Sequence, residues 1–536
     1  MSIRAAFRAG LHTTLNTLSH IGVCLGIAVL IAAWAASPSW APAAADPGPG
    51  ADAGPSADSG PGSEPVPVSA AVDREVTADV FIWDTTTQGI GALRALQKAR
   101  AAHPPAGGGT LRLVIAASSP RPTAMAAQGL AVEDIYAYHG DPLVSGFWAE
   151  FRRAVIADYK ARGINAVNNE GRLVVEPEVA SQQLRWFIDR GGVGRPGTTL
   201  LCAHLISARY QRGASEVVLR TAGGETIRVK AKVLIDASVE GDLALALGAR
   251  YRYGLGGTVF GPATGPPPKP DGDVKDTWIQ RVSTLLTLKV YSGKAPQVAT
   301  LVHPSYDPAD YKPDDRMAQR NVDAFASSWT MTHPLPNGKR EFNETWGDYP
   351  WDIALPYTYV FGYRDDPKIR QRLRDLVLQW ALDKVRYLQE NKYPSVGVAA
   401  VPNRLYLREG PRVVGLRTYT GDEVSHGVAS QTVVFGRYAR YDVHLPVIQD
   451  HEGAFVNIPL GAVISADFPD LLIPGPLSAD HLAYNSAARM EPVRANTGGA
   501  AGVIAALALS KGIAPAKVPY LDVAAELRSQ GYRLAL

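Results

Sequence analysis

The residues of this chain best placed to do chemistry sit where apolar runs stop. In VLIDASVEGDL, Val233 to Leu243, three aliphatic side chains end at Asp236 and give way to Ser238, Glu240, Gly241 and Asp242. The alternation ahead of them, Val229-Lys230-Ala231-Lys232, predicts a strand entering a buried sheet, and Leu243 to Leu247 predict a helix leaving it. Ligands of open α/β sheets lie in the crevice beyond the carboxyl ends of the strands, where these acids and hydroxyls would stand. A helix cap asks for the same residues: Asp236 or Ser238 can accept from free first-turn amides, and acids suit a helix N-terminus. Local pattern alone leaves both readings open.

A second group lies near the C-terminus. His481, Arg489 and Glu491 precede Asn496-Thr497-Gly498-Gly499-Ala500-Ala501-Gly502, which opens an Ala-rich helix predicted from about Thr497 to Ser510. Small residues there let a helix N-terminus approach a ligand and aim amides at an anion. They equally let a helix pack tightly on a sheet. His481, Arg489 and Glu491 are the candidate catalytic residues, because an arginine can orient a carboxylate substrate or stabilise an anionic reduced ring.

The third group is the first βα turn, Asp84-Thr85-Thr86-Thr87-Gln88-Gly89-Ile90-Gly91. A dinucleotide turn of the form GxGxxG uses its first glycine for a tight bend and its second for close backbone approach to a diphosphate. Asp84 and Thr86 hold those two places and only Gly89 keeps the third. The next strand ends in Ala116-Ala117-Ser118-Ser119-Pro120, without the acid that would bind a ribose hydroxyl. Trp346-Gly347-Asp348-Tyr349-Pro350-Trp351-Asp352 is either a sugar-stacking platform or ordinary loop packing. Asp450, His451 and Glu452 lack a spaced ligand set, so no metal is expected.

The elements that must position these groups follow from periodicity. Ala78–Trp83 predicts a buried strand, Gly89–Arg100 a helix and Leu111–Ala117 a second strand, together a parallel βαβ unit with a right-handed crossover. Helices are predicted over 145–163 and 179–190, and several short strands over 198–233. Residues 255–400, rich in Pro, Trp and Tyr with one clear helix at 367–390, predict an inserted substrate or cap domain. Short strands return over 404–460, and Leu471-Leu472-Ile473 forms a closing strand. The expected division is 1–45, 46–74, 75–254, 255–400 and 401–536.

Across 536 residues, 54 basic against 51 acidic side chains give a net charge of +3, too balanced to announce nucleic acid as a partner. Arg4 and Arg8 precede the uncharged, mostly apolar stretch 21–36, and Ala43-Ala44-Ala45 suits a signal peptidase. This pattern predicts export, to the periplasm or outside the cell, with residues 1–45 a cleaved signal peptide or a retained membrane segment. Residues 46–74 form the expected disordered linker, and cleavage leaves only Cys202, so no intramolecular disulfide is expected.

Three segments carry a resemblance that spacing does not. VKAKVLIDASVEGDLALALGARYRYG at 229–254, RLYLREGPRVVGLRTYTGDEV at 404–424 and LLIPGPLSADHLAYNSAARMEPVRANTGGAAGVIAALAL at 471–509 resemble the FAD-dependent oxidoreductase family that includes xanthan-lyase-like proteins. That family is similar in fold to the glutathione-reductase-type flavoproteins, and the likeness runs in order over residues 78–533. It implies an α/β architecture: a Rossmann-like FAD/NAD(P)-binding domain assembled from distant segments, with an inserted α+β substrate domain. It implies FAD as cofactor, held by Thr85, Thr86, Thr87, Gln88 and Gly89 of the phosphate loop, and by Met125 of a Thr123-Ala124-Met125 run where the family has Gly-Gly-Met. Asp236, Gly241, Asp242, Gly475, Asn496, Gly498, Gly499 and Ala500 complete the implied set. The departures, Asp84, Thr86 and Ala117, all fall in the adenosine and diphosphate half, each removing about 1–3 kcal/mol of contact. The implied function is an exported FAD-dependent oxidoreductase acting on an unidentified organic substrate. The alternatives are a family member without FAD that binds a saccharide or other ligand, or a polysaccharide-lyase-like protein. The expected partners are a small-molecule or saccharide substrate and no nucleic acid, with a membrane tether only through residues 21–36.

Overall fold

The computed structural model describes residues 72–190, 197–269, 278–280, 282–298, 332–343, 354–391, 393–427, 429–443 and 448–536. The leader and nearly all of the linker, and the Trp346–Asp352 cluster, lie outside the described residues. Strand β1 (Arg74–Trp83), helix α1 (Thr87–Ala99) and strand β2 (Leu113–Ala116) form the expected βαβ unit, with β1 and β2 parallel and Val80 opposite Leu113. Val80 to Trp83 are buried on both faces, as the continuous apolar run of a parallel strand requires.

Helices α2 (Gly146–Ala161) and α3 (Pro177–Arg190) lead to β3 (Gly197–Leu200), which pairs parallel with β2. Strands β4 (Ala203–Arg209), β5 (Ser215–Thr221) and β6 (Thr226–Asp236) run as an antiparallel meander, and along most of β5 buried residues alternate with partly exposed ones. Its last strand then lies parallel to β1 with Asp236 opposite Trp83, and α4 (Asp242–Leu247) follows. Within the segment expected to form an inserted domain, β7 (Leu285–Val290), β8 (Thr332–Pro334), β9 (Lys339–Asn343), α5 (Ala354–Phe361), α6 (Ile369–Asn391) and β10 (Val396–Ala400) include an antiparallel sheet of order β8-β9-β7-β10.

Residues 404–460 begin with the short strands expected there, Tyr406–Leu407 and Arg412–Val413, but then depart from them: β11 (Thr432–Val443) and β12 (Ile448–Pro459) pair as a long antiparallel ribbon. The closing strand β13 (Leu471–Leu472) joins the first sheet, parallel to β6, with Leu472 opposite Ile235. Helices α7 (His481–Tyr484), α8 (Glu491–Lys511) and α9 (Tyr520–Ser529) end the fold. The architecture is α/β: the β3-β2-β1-β6 sheet carries β13 and the antiparallel β5 and β4 on its far side. Val80, Ile82 and Ile235 face one core, shared with α1 and α8; Phe81, Trp83 and Leu234 face the other.

Helix α8 corrects one expectation. It starts at Glu491 and not near Thr497, because Pro492 suits a first turn where no amide is needed and Glu491 complements the helix dipole. Gly498 to Gly502 therefore lie inside the helix, where they cross α1. A Cβ at Gly498 would stand 1.9 Å from the Gln88 carbonyl oxygen, and one at Gly502 2.4 Å from that of Ala92. From the opposite helix, a Cβ at Gly91 would stand 2.4 Å from the Ala495 carbonyl oxygen. These small residues set the separation of two helices, and no N-terminal amide of α8 is theirs to offer.

Candidate functional site

The β1–α1 turn keeps the shape of a dinucleotide turn with different residues. Asp84 holds the left-handed conformation at φ +80° that the first glycine would supply. Its own carboxylate fastens it there: Oδ1 accepts from the Thr85 amide at 2.7 Å and the Thr123 hydroxyl at 2.6 Å, and Oδ2 from Arg404 Nη1 at 2.8 Å. Asparagine and aspartate tolerate this region better than other side chains do. Gly89 is needed for contact, since a Cβ there would lie 2.0 Å from the Asp84 carbonyl oxygen. Thr86 caps α1 by accepting from the Gly89 amide at 3.2 Å, and donates to the Ala237 carbonyl at 2.7 Å. The Thr87 hydroxyl donates to Glu491, and Thr85 meets Thr123 hydroxyl to hydroxyl at 3.3 Å. The Gln88 amide is buried with neither its oxygen nor its nitrogen partnered.

The β6 turn resolves the choice posed by Asp236. Its carboxylate is fully buried, with Oδ1 accepting from the Ser238 amide at 3.0 Å and hydroxyl at 2.6 Å, and Oδ2 from the Ala244 amide at 2.8 Å. Both oxygens are spent on the turn into α4, so Asp236 acts as a cap. Gly241, at φ +68°, is the N-cap of α4, and Gly475 packs against the turn, where a Cβ would lie 2.2 Å from the Ser238 carbonyl oxygen. The acids that do reach outward are Glu240, paired with Arg404, and Asp242, held by Arg370 through bonds of 2.8 and 2.7 Å. With Asp84 and Ser118 these pairs line an open cleft of about 170 Å³ at the carboxyl ends of β1, β2 and β6, covered by Tyr359 and Tyr363. That is smaller than the roughly 300–1,000 Å³ of a typical small-molecule site.

Burial pushes the Asp236 carboxyl up to about 7, against the hydrogen bonds from Ser238 and Ala244. A carboxyl raised in the folded state favours folding below its unfolded value of about 4, and this contribution is lost as pH rises toward the folded value. Asp236→Asn, neutral throughout, is expected to flatten the fall in thermal midpoint between about pH 4 and about pH 7. A melting series by circular dichroism with an unchanged slope would refute this.

Inward from the cleft, a narrow passage is lined by Thr86, Gln88, Met125, Arg404, Glu491 and Arg494. Glu491 anchors it, accepting from the Met125 amide at 3.3 Å and pairing with Arg494 at 3.4 Å. Arg489 does not line it. Its guanidinium donates to the Asp442 carboxylate at 2.5 Å and to the Tyr406 hydroxyl at 3.1 Å. His481 lies further off, with Nδ1 on Glu409 at 2.9 Å and Nε2 buried without a partner. Glu409 also accepts from Asn485 Nδ2 at 2.9 Å and pairs with Arg412 at 3.2 Å. Burial pushes the Glu409 carboxyl up, but His481 and Arg412 more than offset this and hold it below the usual range. Gln280 links Asn485 to the Asp442 carbonyl, so His481 and Arg489 belong to one hydrogen-bonded network without touching. From the inserted segment, Glu341 of β9 is buried against the Ala131 and Val132 amides at 2.8 and 3.1 Å.

Of the residues singled out from sequence, Thr86, Gln88, Met125 and Glu491 meet at the inner passage, and Asp242 lines the outer cleft. Thr85, Thr87 and Gly89 build the turn behind them. Asp236, Gly241, Gly475, Asn496, Gly498, Gly499 and Ala500 line neither space. Asn496 donates to Ser145 at 3.1 Å, a Cβ at Gly499 would collide with the Tyr532 hydroxyl, and Ala500 is buried in the core. Arg404, Arg370 and Glu409 were not singled out. Arg404 stands 320 positions from Asp84, beyond any local pattern; the Glu491-Pro492 pair, a helix-start signal, would have located Arg494 in a first turn.

The family described as FAD dependent oxidoreductase matches this sequence over residues 123–527. No curated protein matches it. Among solved structures, it is similar to a flavoprotein/dehydrogenase from Cytophaga hutchinsonii, at 12% identity and TM-score 0.34, over 84% of this chain and 83% of that one. It is similar to a geranylgeranyl bacteriochlorophyll reductase-like protein from Thermoplasma acidophilum at 11% identity and TM-score 0.35, over 86% and 85%. Its likeness to the L-proline dehydrogenase of P. horikoshii, at 12% identity and TM-score 0.19, takes in 34% of this chain and spans only 25% of that protein. At these scores the structural likenesses carry no functional argument.

Proposed function

Since the chain belongs to the FAD dependent oxidoreductase family, we propose that it is an exported flavoenzyme acting on a small organic or saccharide substrate. The observation that carries the proposal is the buried passage in which the Gln88 amide and the Nε atoms of Arg404 and Arg494 find no partner. Unpartnered buried donors are costly, so a polar ligand there relieves them. FAD is the cofactor of this family, and Thr86, Gln88 and Arg404 would hold its diphosphate side and Met125, Glu491 and Arg494 its inner end, the passage of about 10 Å³ widening to admit it. FAD supplies two-electron chemistry at its ring.

The chain's own residues contribute positioning and charge. Glu491 fixes Met125 and Arg494 on one carboxylate, so the wall of the passage is rigid. Arg489, its charge matched by Asp442 and its guanidinium also donating to Tyr406, lines neither space and contributes a fixed ion pair behind the passage. The apolar stretch 21–36 supports export. Among the described residues no helix is long and apolar enough to cross a membrane.

A second reading has one observation in its favour: three acids, Asp84, Glu240 and Asp242, stand where a diphosphate would lie. In that reading the protein binds a saccharide without redox chemistry. The visible spectrum of the purified protein separates the two. A flavin band, either native or after soaking with FAD and desalting, is expected; a colourless protein after soaking favours the second reading.

A further inference from the structure

We propose that Arg404 is the group this chain offers to the cofactor's diphosphate, and that Asp84 and Glu240 compete with the diphosphate for it. The proposal rests on the reading of the site as one for FAD. Arg404 is shared between two acids from the turns that follow different strands, β1 and β6: Nη1 meets Asp84 at 2.8 Å and Nη2 meets Glu240. All three side chains are largely buried, at 12%, 7% and 1% exposure. The sharing is incomplete, since Arg404 Nε and Glu240 Oε2 both lack partners. The neighbouring acid Asp242 brings its own cation, Arg370.

Two carboxylates for one guanidinium is an arrangement that an entering dianion must disturb. The diphosphate gains Arg404 only as Asp84 and Glu240 release it or take up protons, and until then it meets their charge at close range. Asp84 is placed for such an exchange. Its other oxygen stays on Thr85 and Thr123, so the left-handed turn survives the loss of Arg404. Burial raises the Asp84 carboxyl, Arg404 opposes the rise and Glu240 adds to it.

The test is a fluorescence titration of the full protein with FAD, with melting curves to show that each variant is folded. Asp84→Asn keeps a side chain that tolerates the left-handed backbone, and Glu240→Gln keeps its size. The double variant is expected to bind FAD at least about tenfold tighter than the unaltered protein, and Arg404→Gln at least about tenfold weaker. Each single carboxamide variant should show part of the gain, so the test stands even where the double variant does not fold. If the unaltered protein binds FAD and the carboxamide variants bind it no tighter, the proposal alone is overturned. If neither the unaltered protein nor any carboxamide variant binds FAD, the proposal falls together with the cofactor reading.

Discussion

Gly498→Ala is expected to destabilise the protein by about 3 kcal/mol, the upper end of what overpacking a well-filled interior costs. The added methyl would sit 1.9 Å from the Gln88 carbonyl oxygen, and a backbone atom cannot rotate away as a side chain can. The helices must separate, and the same crossing carries the close approaches at Gly91 and Gly502, so all three contacts are disturbed together. The turn at Gln88 moves with them, so FAD affinity should fall as well. Gly223→Ala is the control, because a Cβ there meets only the Thr221 hydroxyl at 3.8 Å. Guanidinium unfolding midpoints should separate the two variants clearly; equal midpoints would show that the crossing absorbs a methyl without strain.

Glu409→Ala should cost about 3–5 kcal/mol, the range for removing one partner of a buried ion pair. Arg412, 1% exposed, loses its acid, and His481, Asn485 and the Gln280 amide lose their acceptor together. The loss should reach Arg489, because Asn485 and Gln280 connect Glu409 to Asp442. Glu409→Gln, which keeps an acceptor but not the charge, should fall between. An unfolding free energy from urea titration for Glu409→Ala within about 0.5 kcal/mol of the unaltered protein, as for an unremarkable surface change, would show that the network does not hold these elements.

Much of the fold could be read from local pattern because parallel strands and buried helices declare themselves locally. Val80 to Trp83 and Val233 to Asp236 are unbroken apolar runs ended by a polar residue, and both lie in the sheet as expected. The long ribbon of β11 and β12 was harder to read, because charged residues such as Arg437, Arg440 and Asp442 interrupt its alternation. The site was legible only in part. Turn residues such as Thr86 and Gln88 announce themselves by following a strand. Arg404 and Arg370 reach the cleft from the other side of the chain, and their role depends on acids 164 and 128 positions away. Asp236 and the glycines of α8 stand in suggestive places, yet capping and close packing select the same residue types as ligand binding.

The contact between Thr87 and Glu491 joins residues 404 positions apart, and β13 fills its place beside β6 from 237 positions away, Leu471 against Leu234. During synthesis, then, the first 250 or so residues emerge with Val80, Ile82 and Ile235 on a sheet face whose covering helix α8 does not yet exist. Such long-range closure is slow and leaves apolar surface open while it waits. A ribosome that stops before residue 471 releases a chain that can neither finish its sheet nor cover it, and one that stops before residue 491 releases a chain without its covering helix. Premature termination before α8 is made should therefore yield an aggregating or degraded product in place of a shortened working one.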